Sequence, residues 1–117
     1  MELREYKNRN GKTVSVVRLT TDEDMINAYH TYFSNDPNYS LIDNQLVKKD
    51  KTVALGDYLV IDGSRVFTEV DGMFRKTYYP ASFSEEEEYR WKICPTLILM
   101  KNDTAEEAIE ELRRRGI

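Results

Sequence analysis

The sequence predicts an α+β fold: a small antiparallel β-sheet built from hairpins, with an inserted helix and a C-terminal strand and helix. Short apolar or alternating runs separated by the turn dipeptides Asn10-Gly11 and Asp62-Gly63 predict the hairpins. Apolar residues spaced by three and four positions behind helix-capping residues predict the helices. At 117 residues the chain is expected to be a single domain with its own hydrophobic core. We divide it into a β-rich module, residues 13–80, and a helix–strand–helix extension, residues 81–117.

The first hairpin is predicted from two extended segments, residues 3–7 and 13–19, on either side of Asn10-Gly11. Thr21 is then expected to cap a helix, because its side chain can accept from a free first-turn amide and three acids follow it. The apolar stripe predicted for this helix comprises Met25, Ile26, Tyr29, Tyr32 and Phe33.

A second hairpin is predicted around Asp43-Asn44, followed by a solvated link over residues 48–51. The stretch from residue 54 to residue 80 is predicted to be a third hairpin closed at Asp62-Gly63. Asp71 is expected to cap a short helical turn over residues 73–76, and residues 77–79 are expected to return as an extended segment.

The C-terminal part has a different character. Ser84 and Glu87 have the spacing of a capping box, which predicts a short helix. The apolar run over residues 93–100 predicts a buried strand after Pro95. Asp103 is expected to begin a final helix that extends to Arg115, with acids early and arginines late, as the helix dipole favours.

The central stretch contains a motif made of Gly56, Asp57, Tyr58, Leu59, Val60, Val66, Phe67, Val70, Phe74, Lys76, Thr77, Tyr78 and Pro80. This motif resembles the signature of a small domain common in bacteriophage accessory proteins, which is roughly P-G-D-Y/W-I-V, a Gly-containing turn, E-x-Y/F-x-V, a polar link, and x-F-x-K-T-Y-x-P. Leu55 departs from it by replacing the usual proline. The resemblance implies a phage or prophage source and a small β-rich fold, but no activity. Three of the matching aromatic residues, Tyr58, Phe67 and Phe74, are expected in the core.

Composition narrows the functional classes. The net charge of −4 argues against general nucleic-acid binding, which needs a basic surface, and permits an acidic surface that competes with nucleic acid for a basic groove. The single cysteine, Cys94, excludes an internal disulfide framework and suits a reducing cytoplasm. The charged N-terminus has no apolar signal core, and no apolar run approaches the length of a membrane span.

Ordinary enzyme chemistry is not predicted. His30, the single histidine, falls beside the apolar stripe of the first helix and is interpreted as a boundary residue. Cys94 adjoins an apolar run and is interpreted as an inert thiol. The acidic clusters lack the spacing of calcium loops, and no phosphate-binding glycine loop is present. We therefore expect a non-enzymatic protein without a metal or cofactor.

The first candidate site is an acidic and aromatic segment. Concentrated carboxylates would steer the protein toward a basic partner, and aromatic side chains would supply buried contact area. A solvated helix face is the alternative interpretation. The predicted partner-binding residues are Glu85, Glu86, Glu87, Glu88, Tyr89 and Trp91.

The leading functional hypothesis is an inhibitor of a host defence system, such as an anti-CRISPR-like protein acting in the host cytoplasm on a defence protein or a protein–nucleic-acid complex. The first alternative is an oligomeric sponge that sequesters a cyclic-nucleotide or ADP-ribose-type signal. A structural or virion-associated adaptor is the second, and a homodimer through a sheet edge or the last helix is compatible with each. The predicted ligand-binding residues of the sponge are Phe83, Lys101, Arg113, Arg114 and Arg115.

Overall fold

A computed structural model describes residues 2–93, and within them the chain has an α+β fold with two antiparallel sheets, as predicted. The larger sheet has the strand order β7-β6-β2-β1-β8, and the smaller has the order β3-β4-β5. The strands are β1 (Arg4–Asn8), β2 (Thr13–Arg18), β3 (Tyr39–Ile42), β4 (Gln45–Lys48), β5 (Lys51–Thr52), β6 (Tyr58–Asp62), β7 (Arg65–Glu69) and β8 (Tyr78–Pro80). The helices are α1 (Asp22–Ala28), α2 (Asp71–Thr77) and α3 (Glu85–Ile93).

The three predicted hairpin turns are confirmed. Gly11 and Gly63 have φ angles of 83° and 62°, in the left-handed region that glycine reaches without a steric penalty. Asp43 and Asn44 have φ angles of 51° and 63°, the two consecutive left-handed residues that a tight two-residue hairpin requires. The predicted strand after Pro95 and the predicted helix from Asp103 to Arg115 lie outside the described residues.

A fourth turn lies in the solvated link expected at residues 48–51. β4 and β5 pair there, with Lys48 opposite Lys51, a pairing that was not predicted. Lys49 makes the turn possible by adopting a φ of 58°, and its backbone N–H donates to the carbonyl oxygen of Asn38 at 2.7 Å. The sequence gives no warning of this turn, because lysine is an uncommon residue in the left-handed region.

The described residues group into two compact units, one of residues 2–4 and 15–71 and the other of residues 5–14 and 72–93. The first unit has a continuous apolar core to which α1 and strands of both sheets contribute. Tyr29, Tyr32, Ile61 and Val66 pack against it while remaining partly exposed. Its buried members are Val17, Leu19, Met25, Ala28, Phe33, Tyr39, Leu46, Val53 and Leu59.

The predicted cap of α1 by Thr21 is confirmed, since Asp24 N donates to Thr21 Oγ1 at 3.1 Å. The structure adds a reciprocal bond that makes this a capping box, because Thr21 N donates to the Asp24 carboxylate at 3.2 Å. The helix is shorter than its apolar stripe predicts. From Tyr29 to Phe33 the backbone continues as a π-helical turn, at the end of which Phe33 is fully buried and stacks on Tyr39 at 3.9 Å.

Gly56 and Asp57, which precede β6, have structural roles in the first unit. Gly56 has a φ of 99°, and its N–H donates to the carbonyl oxygen of Leu19 at 2.6 Å. The buried Asp57 carboxylate accepts from Ala54 N at 3.0 Å and from Asp71 N at 3.2 Å, so it ties the loop before β6 to the start of α2. Asp57 thus accepts a hydrogen bond from the backbone of Asp71, the first residue of α2.

The second unit has an aromatic core. Tyr6 of β1 meets Phe74 of α2 edge to face at 5.1 Å, and Phe74 stacks on Tyr78 at the same distance. Phe74 is buried, as expected, while Phe67 in the first unit is only half-buried. β1 pairs with β8, placing Lys7 opposite Tyr79. The predicted extended return after the helical turn is therefore confirmed as the edge strand β8.

Candidate partner-binding surface

Helix α3 carries the predicted partner-binding residues and begins at the predicted capping box. Glu87 N donates to Ser84 Oγ at 3.2 Å, and Ser84 N donates to Glu87 Oε1 at 2.9 Å. These two bonds satisfy amides that would otherwise lack partners in the first turn. The Glu87 carboxylate therefore caps the first turn of the helix. Because Glu87 is only 7% exposed, this carboxylate is not available to a partner.

Trp91, expected to be an anchor for a partner, is fully buried and anchors α3 instead. Its Nε1 donates to the backbone carbonyl of Arg75 at 3.0 Å. The Tyr79 ring lies 5.0 Å from the indole, and the Arg9 guanidinium lies 4.6 Å above it in a cation–π contact. Arg9 also donates weakly to the carbonyl oxygen of Lys92 at 3.4 Å. These contacts hold α3 against the aromatic core of the second unit.

Two other acids of the segment form ion pairs with basic residues four positions later in the same helix. Glu86 accepts from Arg90 at 2.7 Å, and Glu88 accepts from Lys92 at 2.7 Å. Exposed pairs at this spacing stabilise a helix by about 0.3–0.5 kcal/mol each. The pairs also offset part of the negative charge that the sequence concentrates here. Among the four acids of the segment, Glu85 is exposed and takes part in neither these two ion pairs nor the helix cap.

Glu88 belongs to a small network that secures the same side of α3. Burial, and then the hydrogen bond with Glu88, raise the pKa of Tyr79 to about 12. The hydrogen bonds from Lys92 and Tyr79 lower the pKa of Glu88. The neutral phenol and the ionised carboxylate are thus the favoured states of this pair. Their role is to hold the helix, because Tyr79 is almost completely buried.

The opposite side of α3 is exposed. An α-helix turns by about 100° per residue, so Glu85, Tyr89 and Ile93 share one face, which points away from Glu87 and Trp91. Tyr89 and Ile93 are each 65% exposed. We call these three residues the outward stripe. It combines one carboxylate, one aromatic ring and one aliphatic side chain on a helix whose opposite side is held by the buried Trp91.

Sequence reasoning included Ile93 in an apolar strand run and missed it as a surface residue. The signal that points to it is its four-residue spacing from Tyr89, which becomes informative once Trp91 is known to face inward. Trp91 and Glu87, conversely, were expected at the surface. Nothing in the local sequence distinguishes an inward tryptophan from an outward tyrosine two positions earlier.

The residues of the predicted ligand site are not brought together in the described part of the chain. Phe83 is half-buried and stacks on Tyr79, with ring centroids 5.8 Å apart and planes at 17°. That contact already covers one face of its ring. Lys101, Arg113, Arg114 and Arg115 lie outside the described residues.

One sheet edge proposed for homodimer pairing is already engaged. The backbone N–H of Thr68 on edge strand β7 donates to the Tyr39 hydroxyl at 2.9 Å, and the two hydroxyls lie 3.1 Å apart. A second copy that paired along β7 would have to displace this phenol. The other edge strand of the same sheet, β8, is three residues long and ends in Pro80, which has no N–H to donate.

The remaining chemical candidates can be placed as well. His30 is exposed in the π-helical turn, with its ring 5.4 Å from that of Tyr29. Within residues 2–93, no group of three or more His, Cys, Asp or Glu side chains is arranged to hold a metal ion. No helix in that part of the chain has the length and apolarity needed to cross a membrane.

Comparison of the chain with protein-family models, with curated proteins and with solved structures found no match.

Proposed function

We propose that this chain is a non-enzymatic phage accessory protein that acts by binding, and that it inhibits a host defence protein or protein–nucleic-acid complex in the host cytoplasm. The observation that carries the proposal is the outward stripe, an exposed tyrosine and isoleucine beside a glutamate on a helix locked by a buried tryptophan. The phage-type motif supplies the expected source of the protein, and the net charge of −4 suits a basic partner surface.

The stripe has the properties of a binding surface. Tyrosine is enriched among the residues that dominate interface energetics, since its ring buries a large area with few rotatable bonds. α3 is held by its cap, by Trp91 and by two ion pairs, so little ordering is needed when a partner binds. Glu85 at the edge of the stripe would favour encounter with a basic groove.

The carboxylates of α3 support binding rather than catalysis as the role of this segment. Glu87 caps the helix, and Glu86 and Glu88 pair with cations of the same helix. Each of these contacts occupies the carboxylate within the helix itself. A general acid or base would instead need a pKa near the working pH and a free path to a substrate.

The proposal is tested by affinity capture from lysate of the bacterial host, using the tagged full chain. The test variant combines Glu85→Lys with Tyr89→Ala. The matched control combines Glu23→Lys with Leu55→Ala, because Glu23 is also an exposed first-turn glutamate and Leu55 is 60% exposed. The wild type and the control should enrich the same host protein, and the test variant should lose it.

Two results would overturn the proposal. One is retention of the captured protein by the Glu85→Lys/Tyr89→Ala variant at the level of the control. The other is a capture profile of the wild type that matches that of the tag alone. Raising the ionic strength should weaken capture if Glu85 steers the encounter, because screening reduces long-range attraction between exposed charges.

A further inference from the structure

The first unit contains a cleft that no sequence motif predicted. The β4–β5 turn and the end of β7 face each other across a volume of about 330 Å³, with walls formed by residues 48–53 and 68–70. This volume is at the lower end of the range of roughly 300–1,000 Å³ that small-molecule sites occupy. The cleft is therefore large enough for a small metabolite.

The cleft is lined by more positive than negative side chains, although the protein as a whole carries a negative net charge. Lys48, Lys49 and Lys51 line it together with two acids, Asp50 and Glu69, on a protein whose net charge is −4. The carboxylate of Glu69 accepts from the adjacent backbone N–H of Val70 at 3.2 Å. No carboxylate of the described residues forms an ion pair with any of the three lysines.

The β4–β5 turn, which carries these lysines, has two energetically unfavourable features. Lys48 and Lys51 are directly opposite each other in the β4–β5 register, and like charges in that arrangement repel. Lys49, between them, has a φ of 58°, a conformation in which side chains other than glycine, asparagine and aspartate are uncommon. An anion placed between Lys48 and Lys51 would turn the repulsion into two attractions.

The walls of the cleft are held in place. Lys48 Nζ lies 5.8 Å from the ring centroid of Tyr39, and the hydroxyl of the same tyrosine accepts from Thr68 N in the opposite wall. Tyr39 thus contacts residues of both walls. Val53 and Val70 add apolar surface to the lining, so the cleft offers both charge and a place for an uncharged group.

We propose that this cleft is a binding site for a small phosphate-bearing molecule of about mononucleotide size. The phosphate lies between the ammonium groups of Lys48 and Lys51, and the uncharged part of the ligand packs against Val53 and Val70. Lysine recognises phosphate as a point charge, so the site selects charge and size more than bidentate geometry. This activity is additional to partner binding by α3 and involves none of the residues of the outward stripe.

The test is an NMR titration of the isotope-labelled full chain at low ionic strength, with adenosine 5′-monophosphate, adenosine and inorganic phosphate as probes. Adenosine 5′-monophosphate should shift the backbone amides of Lys49, Lys51 and Thr52 in a saturable way. It should bind about tenfold more tightly than either part alone, because each part loses one set of contacts. Lys51→Gln should weaken it about tenfold, Lys51→Arg should retain binding, and Lys76→Gln should match the wild type.

Thermal unfolding gives an independent readout. Without anions, Lys51→Gln should unfold at a higher temperature than the wild type, because it removes the repulsion from Lys48. Added adenosine 5′-monophosphate should raise the unfolding temperature of the wild type by more than that of this variant at the same concentration. Absence of saturable shifts, equal affinity for inorganic phosphate and adenosine 5′-monophosphate, or equal effects of Lys51→Gln and Lys76→Gln would each overturn the proposal. So would a lower unfolding temperature of anion-free Lys51→Gln.

Discussion

Trp91 Nε1 donates a hydrogen bond of 3.0 Å to the backbone carbonyl oxygen of Arg75, sixteen positions earlier. Arg75 lies in the last turn of α2, where carbonyl oxygens lack partners within the helix. The indole supplies one such partner and at the same time joins α3 to α2. Together with the contacts of Tyr79 and Arg9 to the same indole, this bond holds α3 in the rotation at which Tyr89 and Ile93 face outward.

Replacing Trp91 with phenylalanine should lower the free energy of unfolding by about 2 kcal/mol, because the Arg75 carbonyl loses its donor and part of the buried volume is lost. Tyr89→Ala, on the exposed side of the same helix, should change it by less than about 0.5 kcal/mol. Urea unfolding followed by circular dichroism measures both. Equal effects of the two variants would show that Trp91 does not anchor α3.

Gly56→Ala should destabilise the protein by about 1 kcal/mol or more, because alanine is strained at the observed φ of 99°. Gly72→Ala is the matched control, since Gly72 lies in α2 and an added Cβ there meets no atom within 4 Å. The control should be neutral or slightly stabilising, because alanine favours helices. Thermal unfolding of both variants checks this prediction, and the opposite order of stabilities would contradict the structural role given to the motif glycine.

Tyr39→Phe should cost about 1–3 kcal/mol, because the buried Thr68 N–H loses its acceptor. Thr68→Val should cost less, since it removes the hydroxyl contact and keeps the backbone donor and its phenol partner. The two single variants and the double variant form a thermodynamic cycle that isolates the coupling between these residues. Additive effects would mean that the contact between the two hydroxyls contributes nothing to stability. A cost of Tyr39→Phe no larger than that of Thr68→Val would contradict the role of the phenol as acceptor for the Thr68 N–H.

Alkaline pH should lower the free energy of unfolding, partly because the Tyr79 phenol ionises. The pKa of this phenol is raised to about 12 in the folded protein, above the value of 10.0 expected for an exposed tyrosine. The stability that it contributes is therefore complete below about pH 10 and is lost as the pH rises toward about 12. Tyr79→Phe cannot ionise, so its free energy of unfolding should fall less steeply than that of the wild type between about pH 9 and 11. Parallel curves would exclude this contribution.

Local signals in the sequence predicted much of the fold. Asn10-Gly11, Asp43-Asn44 and Asp62-Gly63 mark hairpins because tight turns need residues with a positive φ. Glycine, asparagine and aspartate adopt that conformation more readily than other residues. The capping box of α3 follows likewise from Ser84 and Glu87. The β4–β5 turn escaped prediction, because Lys49 is not a residue that usually marks such a conformation. The pairing of β1 with β8 joins positions about seventy residues apart and has no local signal.

The candidate surface was only partly predictable for the same reason. The sequence locates the acids and aromatic residues of residues 83–91, but which of them face outward depends on tertiary contacts. Trp91 faces inward because Arg75, Tyr79 and Arg9 surround it. The cleft beside Lys51 likewise depends on the position of β7 relative to β5, which periodicity does not reveal.

Site-specific photo-crosslinking in host lysate tests most directly whether α3 binds a partner. A photoreactive amino acid is placed at position 89 in the outward stripe and, as a control of similar exposure, at position 55. We expect one dominant host protein to be crosslinked from position 89 and to be absent from position 55. The same crosslinked proteins at both positions, or none from position 89, would contradict the assignment of α3 as the partner-binding surface.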